Sequence, residues 1–396
     1  MPVSTIETPA RRVDFNTNLI AHAAFVPTGM VTVMLGPLLP LLAAKWSLSD
    51  RRAGYLITAQ FIGSLLGTIS SSVVLSRLGF RIAMVFGQLL MAIGAATLLS
   101  NSFALGAVSV CCCGVGIGLT IPTGNLIVAE SAQHSRSSTL NLLNFCWSAG
   151  ALSFPFLLAA VEKTYDPQFL LRAIAGFLVL LILVVGMFPG EIPGPRRDEP
   201  SSSGKLLLSK YLRQPAAIML GTLFFVYVGT ENAIGAWLAS YAKRASDTAV
   251  AWITVPSFFY GALLLGRALA PLTLRRLSDA RQACLGVLLG MVSCGLLILS
   301  HSTGSIAMCA FLAGLGFSTL YPIAISLLSA AFGTEARKIG GVMFALSTLG
   351  GVSVPWLVGF ASTELHSLRS ALTIPLAGCL IMLLLFSRPR WSALPA

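Results

Sequence analysis

Charged residues are scarce in this 396-residue chain. Only 10% of its residues are Asp, Glu, Lys or Arg, whereas about 25% are charged in a soluble globular protein. Acidic residues are the rarer sign, with 14 Asp and Glu against 26 Lys and Arg. Hydrophobic residues make up 56% of the chain. This composition excludes a soluble globular domain and indicates a membrane protein.

Motifs of catalytic and metal sites are also missing. The sequence has no HExxH, G-x-S-x-G or P-loop motif and no paired catalytic carboxylates. Its eight cysteines fall inside predicted helices without the spacing of a metal site, and we interpret them as small apolar packing residues. We therefore expect no enzymatic activity, no metal and no cofactor. A sensor or membrane enzyme that transports nothing is the alternative from another functional class.

Long apolar stretches follow one another along nearly the whole chain. About twelve of them are long enough to cross a ~30 Å hydrocarbon layer. They cover residues 15–44, 51–75, 81–100, 103–130, 137–161, 168–188, 215–242, 249–272, 281–300, 303–332, 338–362 and 369–387. The longest polar segment is rich in Pro, Gly and Ser, as in flexible linkers. The sequence predicts an all-α membrane protein with a six-helix bundle in residues 1–188, a cytoplasmic linker in residues 189–213 and a second six-helix bundle in residues 214–396.

Basic residues are concentrated on one side of the predicted spans. If the N-terminus is cytoplasmic, 17 of the 26 Lys and Arg lie in cytoplasmic segments and only 8 in outer segments. This asymmetry follows the positive-inside rule, so the net charge of +12 reflects topology and contact with anionic lipid. We expect a multi-pass protein of the inner membrane with both termini in the cytoplasm, membrane lipids as partners, and no nucleic-acid partner.

Two segments of the first half return 200 positions later. GVGIGLTIP at residues 114–122 corresponds to GLGFSTLYP at 314–322, and SAGALSFP at 148–155 corresponds to TLGGVSVP at 348–355. The chain is therefore an internal duplication, which predicts two bundles related by a pseudo-two-fold axis. Parallel repeats of this kind are typical of a large class of secondary transporters, whose substrate site lies between the repeats.

The duplication of six helices, the long central segment and the sequence RLGFR before the third span together resemble the major facilitator superfamily. This resemblance covers the whole chain. Arg77, Gly79 and Arg81 fit that family's loop motif, G-x-x-x-D-R-x-G-R-[RK], whereas Ser72 replaces its glycine and Ser76 its aspartate. The resemblance implies a gating role for this loop, and the missing aspartate weakens it.

A second pair of charged residues lies at the cytoplasmic end of the fourth span. Glu130 and Arg136 could supply a substitute salt bridge that gates the cytoplasmic mouth. The alternative is a solvated surface pair, which would contribute little.

Two motifs narrow the resemblance to one branch of the family. YVGTENAIGAWLASY at residues 227–241 looks like the YVGxExxIGxWLxxY pattern of the fucose/galactose/glucose:H+ symporter branch. LNLLNFCWSAGA at residues 140–151, followed by Pro155, is similar to that branch's LNLLHxxxGxGA…P, with Asn144 at the position of a frequent histidine. The resemblance implies transport of a sugar together with a proton.

The acids that carry coupling in that branch are absent here. Their positions in the first and fourth spans fall on Gly36 and Ile121. The proton-coupling mechanism of that branch therefore cannot be assigned unchanged to this chain. Glu231 is the one acidic residue that we place well inside a span. Burying an ionised carboxylate in hydrocarbon costs roughly 2.5–3.5 kcal/mol on insertion scales, so Glu231 should face a partner or a wet cavity. It is our proton-coupling candidate; the alternatives are a fixed hydrogen bond to a neighbouring helix, or a uniporter.

Arg267 is the obvious counter-ion for Glu231. Counted from the cytoplasmic ends of their helices, however, the two residues are offset by roughly 16 Å. We therefore expect that they do not pair, and that Arg267 binds lipid phosphate at the cytoplasmic end of its helix.

Sugars are bound by amide and carboxylate hydrogen bonds and by aromatic rings, and mid-depth residues offer both types. The substrate-binding candidates are Gln60, Asn125, Asn141, Asn144, Trp147, Tyr227, Asn232, Trp237, Tyr260 and Tyr321. For each amide the alternative is a hydrogen bond between helices, and for each aromatic residue it is packing.

The sequence thus predicts a monomeric secondary transporter for a small polar solute, which we expect to be a sugar. A proton, or else sodium, would be the coupling ion. The alternative is an efflux antiporter for drugs or amphiphiles, with a larger and more apolar cavity.

Overall fold

The computed structural model of the protein describes residues 15–100, 102–131, 136–187, 214–245, 251–274, 278–333 and 336–387. Within these ranges the chain forms fourteen α-helices. The first six, which we call the N-terminal set, are α1 (Phe15–Val33), α2 (Leu35–Lys45), α3 (Asp50–Thr97), α4 (Phe103–Ser131), α5 (Arg136–Glu162) and α6 (Pro167–Met187). The other eight, the C-terminal set, are α7 (Pro215–Arg244), α8 (Ala251–Leu274), α9 (Asp279–Leu299), α10 (Thr303–Phe317), α11 (Leu320–Phe332), α12 (Ala336–Glu364), α13 (Leu368–Ala371) and α14 (Thr373–Phe386).

Helix α3 is long enough to cross a membrane twice and is broken near its middle. Its 48 residues would extend about 72 Å if the helix were straight. The break lies at Gly79, whose φ of 81° is a left-handed conformation that glycine adopts without strain. The chain reverses there, so the predicted second and third spans are two arms of α3, and the conformational freedom of Gly79 permits the reversal.

The first span is also bent. Helices α1 and α2 meet at an angle of 42° around Met34. Pro27 and Pro40 lie within these helices and remove backbone donors on either side of the bend. In the described residues ten helices are long and apolar enough to cross a membrane, and the bent pair is an eleventh candidate. With α3 counted as two arms, helices cover all twelve predicted spans, and the all-helical fold is confirmed.

Side chains on the outside of the bundle are apolar. Leu183 of α6, Leu299 of α9 and Leu384 of α14 are all largely exposed. In a lipid environment these surfaces face hydrocarbon, so their exposure indicates the perimeter that contacts the membrane. The predicted linker, residues 189–213, lies outside the described residues.

The two sets of helices meet along a limited group of elements. The contacting helices are α2, α3 and α5 of the N-terminal set and α7, α8 and α12 of the C-terminal set. The pairs are α3 with α12, α5 with α8, and α2 with α7 and α8. The cleft between the sets is therefore lined by these six helices. We call the end of the bundle where α3 begins the Asp50 end, and the opposite end the Gly79 end.

Candidate functional site

A cluster of charged side chains joins the two sets at the Asp50 end. Asp50, the first residue of α3, accepts a hydrogen bond from Arg244 at the end of α7, at 2.5 Å. Its other carboxylate oxygen accepts from Ser362 of α12. The Asp50 side chain is only 16% exposed, so this pair is screened less than a surface pair would be.

Arg51 extends this cluster on the same side. Its guanidinium forms an ion pair with Glu364 at the end of α12 and lies 4.6 Å from the centre of the Phe360 ring. Its backbone N–H donates to Thr363 Oγ1 at 2.9 Å. Asp50 therefore begins α3 and also joins the two sets. We call Asp50, Arg51, Arg244 and Glu364 the ion cluster.

Below the ion cluster the backbones of the two sets approach closely. A Cβ atom at Gly36 of α2 would lie 2.7 Å from the carbonyl oxygen of Gly235 in α7. Ser257 of α8 donates to the carbonyl oxygen of Leu152 in α5 at 2.9 Å. The resemblance drawn from the sequence implies that Gly36 falls at the position of a coupling acid. The absence of a side chain there lets α2 and α7 close the cleft.

Toward the Gly79 end the same helix faces separate. On α3, Gly54 packs against α12, but Thr68 and Ser72, farther along the same face, are exposed. On α12, Phe344 and Gly341 are likewise exposed, two to three turns below the contacts with α3. The cleft is therefore closed at the Asp50 end and open at the Gly79 end.

Glu231 lies on α7 beside the cleft, about one turn closer to the Gly79 end than Gly235. Its side chain is half-buried, and its carboxylate accepts a hydrogen bond from the Tyr227 hydroxyl. The Tyr227 hydroxyl also lies 3.4 Å from the carbonyl oxygen of Phe317 in α10. Tyr321 of α11 packs against Tyr227, with ring centres 6.1 Å apart. The structure therefore brings Glu231, Tyr227 and Tyr321 together.

Tyr260 of α8 joins this group from the other side. Its hydroxyl lies where a side chain at Gly235 would begin, 2.5 Å from the position of a Cβ atom. Only a glycine at position 235 leaves room for the Tyr260 ring to lie over α7. Tyr260 therefore lies near Glu231, which precedes Gly235 by about one turn of α7. We call Glu231, Tyr227, Tyr260 and Tyr321 the carboxyl site.

Arg267 is closer to Glu231 than the sequence suggested. Helices α7 and α8 are joined at the Asp50 end, so depth is properly counted from Arg244 and Ala251. Glu231 is then about 20 Å deep and Arg267 about 24 Å, an offset of roughly one helical turn. The expected offset of roughly 16 Å is wrong, because α7 continues well beyond α8 toward the Gly79 end. Among the described residues Arg267 and Glu231 do not form an ion pair within 4.0 Å, but they interact electrostatically.

Three predicted asparagines bond to their own helices. Asn125, Asn144 and Asn232 each donate from Nδ2 to the carbonyl oxygen four residues earlier, at 2.8–3.0 Å. These bonds use the amide nitrogen and one of its protons and leave the amide oxygen available to accept. The alternative of a hydrogen bond between helices is therefore not what holds these three side chains.

Asn141 and Asn144 lie on the face of α5 that points to the cleft. Leu152 contacts α8, and Asn144 and Asn141 are two and three turns below it on the same face. Both asparagines are exposed. Trp147 is half-buried and donates from its indole nitrogen to Thr32 Oγ1 at 3.4 Å.

Gln60 and Trp237 make contacts of a different kind. Gln60 is buried and donates to the carbonyl oxygen of Thr32 in α1 at 2.8 Å. Trp237 is 1% exposed and donates to the carbonyl oxygen of Pro355 in α12 at 2.9 Å. Both side chains tie neighbouring helices together, so the site described here does not include them.

The loop motif lies at the Gly79 end, away from the carboxyl site. Arg77 is exposed, and Arg81 donates to the carbonyl oxygen of Gly186 at the end of α6, within the N-terminal set. The side chains of Glu130 and Arg136 lie outside the described part of the structure, so their predicted salt bridge stays a prediction.

The chain matches a known protein family. The profile described as Major Facilitator Superfamily matches residues 22–355, and the chain belongs to this family. The glucose/mannose transporter GlcP of Bacillus subtilis (strain 168) is 22% identical over 370 residues, with 88% of each chain covered. The L-fucose-proton symporter of Escherichia coli (strain K12) is 22% identical over 391 residues, covering 89% of this chain and 88% of the symporter.

Solved structures confirm the fold. The crystal structure of the peptide transporter POT in complex with sulfate has a TM-score of 0.78 and 15% sequence identity, with 96% of each chain covered. At this identity the likeness shows the architecture alone. The chain is therefore a multi-pass membrane transporter of the superfamily, and its solute has to be inferred from the site.

Proposed function

We propose that this member of the major facilitator superfamily is a secondary transporter that couples movement of a small polar solute, a sugar, to movement of a proton. The observation that carries the proposal is the half-buried carboxyl of Glu231, which faces the cleft at mid-depth and is held by the Tyr227 hydroxyl. Acidic residues inside membrane spans are costly, and they mark ion pathways more often than packing positions. Similarity to a glucose/mannose transporter and an L-fucose-proton symporter supports a sugar as the solute.

The two ends of the cleft would open in turn. The ion cluster and the Gly36–Gly235 contact hold the Asp50 end closed, and the opposite end is open. The sequence assigns 17 of the 26 Lys and Arg to segments on the same side of the membrane as the RLGFR loop, which lies at the Gly79 end, so we infer that this end faces the cytoplasm together with both termini. The conformation described here is then open to the cytoplasm, and the outward-open conformation requires the ion cluster to separate.

The carboxyl site is suited to exchange a proton with the open cleft. Glu231 is half-buried, and Tyr227 holds one of its oxygens in place. When the cleft opens, water reaches this carboxyl and a proton can leave or arrive. When it closes, a neutral carboxyl costs less to enclose than an ionised one. The proton would therefore cross the membrane with the closing step.

Hydroxyl groups of a sugar would bind to amides on both sides of the cleft. Asn141 and Asn144 face it from α5, and Asn232 follows Glu231 on α7. Amide oxygens accept from hydroxyl groups and amide nitrogens donate to them, so each of these side chains can bind a sugar hydroxyl. This polar lining favours a small hydroxylated solute over a drug or amphiphile.

Uphill uptake in liposomes tests the coupling. Purified protein is reconstituted, a pH gradient is imposed, and accumulation of a radiolabelled hexose is compared with exchange of the same hexose at equal pH. We expect Glu231→Gln to abolish accumulation and to leave exchange largely intact, because only the coupled step needs the proton. Asp166→Asn is the matched control, since Asp166 caps α6 at an exposed position outside the cleft.

Each outcome decides a part of the proposal. Accumulation by Glu231→Gln at the rate of the unaltered protein would overturn the coupling role. Accumulation driven by a sodium gradient instead of a pH gradient would show that the coupling ion is sodium and not a proton. If the protein transports no hexose but exports a fluorescent dye in response to a pH gradient, it is a drug efflux antiporter and not a sugar transporter.

A further inference from the structure

We propose that the preferred solute carries one carboxylate and that Arg267 binds it, so that the site favours a sugar acid over a neutral sugar. This inference rests on the proposed function, because it assigns the charge of the solute at the same cleft. It concerns a residue that the sequence interpretation had placed against lipid.

The position of Arg267 follows from contacts of its neighbours. Tyr260 and Arg267 are seven residues apart on α8, so they lie on the same face of that helix, two turns apart. The Tyr260 hydroxyl lies against Gly235, which sets the depth of this face relative to α7. From that level Arg267 is about 10 Å deeper and Glu231 about 6 Å deeper. The guanidinium is therefore at the level of the carboxyl site.

No group in the described part of the chain neutralises Arg267 by direct contact. Its guanidinium makes no hydrogen bond or ion pair to a described residue, although it lies near the Glu231 carboxyl. Its side chain is half-buried, which leaves it accessible from the cleft. A cation at this depth is costly to keep without an anionic partner. A solute carboxylate is the partner that the geometry leaves room for.

Charge balance links this partner to the proton. With Glu231 ionised, the site holds one negative and one positive charge. When Glu231 takes up a proton, the positive charge of Arg267 is left uncompensated. The other titratable groups of the carboxyl site are the hydroxyls of Tyr227, Tyr260 and Tyr321, which carry no negative charge at neutral pH. A monoanion bound to Arg267 then restores neutrality. Proton and solute would cross together without net charge, and a neutral sugar would leave the guanidinium unpaired.

The number of charges selects a carboxylate over a phosphate. A phosphate monoester carries about −1.5 to −2 at neutral pH, which exceeds the single positive charge of Arg267. A carboxylate carries one charge and fits a guanidinium with two parallel hydrogen bonds. The amides of Asn144 and Asn232 then remain for the hydroxyl groups. The chemical class is a hydroxylated monocarboxylic acid, such as a hexuronate or hexonate.

Binding by the purified full-length protein tests the assignment. The probes are D-glucuronate, D-galacturonate and D-gluconate, with D-glucose as the neutral analogue and D-glucose 6-phosphate as the more highly charged one. Affinity is measured by isothermal titration, and the rise in melting temperature serves as a second readout. We expect at least one sugar acid to bind about tenfold or more tightly than glucose and glucose 6-phosphate, because it alone pairs with the guanidinium.

Two variants assign the effect to Arg267. Arg267→Gln is expected to lose the preference for the acid, by about tenfold or more, and Arg267→Lys to keep part of it. Arg281→Gln is the matched control, because Arg281 is exposed at the start of α9 and away from the cleft. The melting temperature without ligand reports whether each variant folds. If Arg267→Gln does not fold, Arg267→Lys and the comparison of acid with glucose still decide the question.

Uptake into liposomes completes the test. Accumulation of the labelled acid should follow the pH gradient and should not respond to a membrane potential set with valinomycin and potassium. Accumulation of glucose, with no binding of any acid, would overturn this inference and leave the proposed function standing. Undiminished binding of the acid by Arg267→Gln, or binding of none of these compounds, would also overturn it.

Discussion

Replacing Gly36 with alanine tests whether the close approach of α2 and α7 holds the Asp50 end closed. A Cβ atom at this position would lie 2.7 Å from the Gly235 carbonyl oxygen and 3.3 Å from the Ala236 Cα atom, whereas ordinary contact begins at 3.4 Å. Both neighbours are backbone atoms that cannot rotate away. The two helices would have to separate by about 0.7 Å.

The size of the effect follows from this overlap. Forcing one extra carbon into a well-packed contact costs roughly 1–3 kcal/mol. The strain exists only while α2 and α7 are in contact, so it destabilises the closed Asp50 end and leaves the open one unaffected. The ratio of the two conformations should therefore shift about 5- to 150-fold toward opening at the Asp50 end. Transport should slow, because the solute can no longer be enclosed from that side.

Distances between spin labels at the Asp50 end measure this shift. The labels are placed at Lys163 after α5 and Leu365 after α12, both exposed, in protein whose native cysteines have been replaced. We expect Gly36→Ala to lengthen the distance distribution. Gly295→Ala is the matched control, because a Cβ atom there would meet nothing within 4 Å. Unchanged distances in Gly36→Ala would refute the role of this contact.

Two further predictions concern contacts between helices that lie outside the solute-binding site. Asp50→Asn should shift the ratio of the two conformations toward opening by about fivefold, because it weakens the ion pair between the largely buried Asp50 and the half-exposed Arg244. Spin-label distances like those of the unaltered protein would show that the ion cluster does not hold this end closed. Trp237→Phe removes the hydrogen bond to the Pro355 carbonyl oxygen and should lower stability by about 1 kcal/mol, which the melting temperature in detergent reports. Its solute affinity should stay unchanged, and a loss of affinity at constant melting temperature would place Trp237 in the binding site.

The helices were readable from the sequence because membrane spans obey simple physical limits, and the division of the chain into two six-helix bundles stays a prediction. A backbone in hydrocarbon has to satisfy its own hydrogen bonds, so long apolar runs become helices. The break at Gly79 agrees with the polar, glycine-containing RLGFR segment between two apolar runs. Glu231 is predicted as a coupling residue for a related reason, since a lone acid in an apolar run is costly unless it has a partner or a function.

The sequence did not show how deep a residue of one helix lies relative to a residue of another, or which residues meet across the cleft. Arg267 was misplaced because its depth was counted from the end of α8 and that of Glu231 from the start of α7, and the sequence does not show that these two ends lie at different levels. Asp50 has the sequence pattern of a helix start, and that pattern is the same whether or not Arg244 lies opposite. The predicted gating pair of Glu130 and Arg136 stays a prediction.

The sequence by itself determined that this chain is an all-helical membrane transporter, and it predicted Glu231 as the coupling carboxyl. Hydrophobicity and internal repetition are local properties of the chain, and they suffice for that conclusion. Only the tertiary structure decided that Gly36 meets Gly235, that Asp50 joins the two sets, and that Arg267 reaches the level of Glu231. These contacts join residues far apart in sequence or on separate helices, and they depend on how whole helices pack against each other.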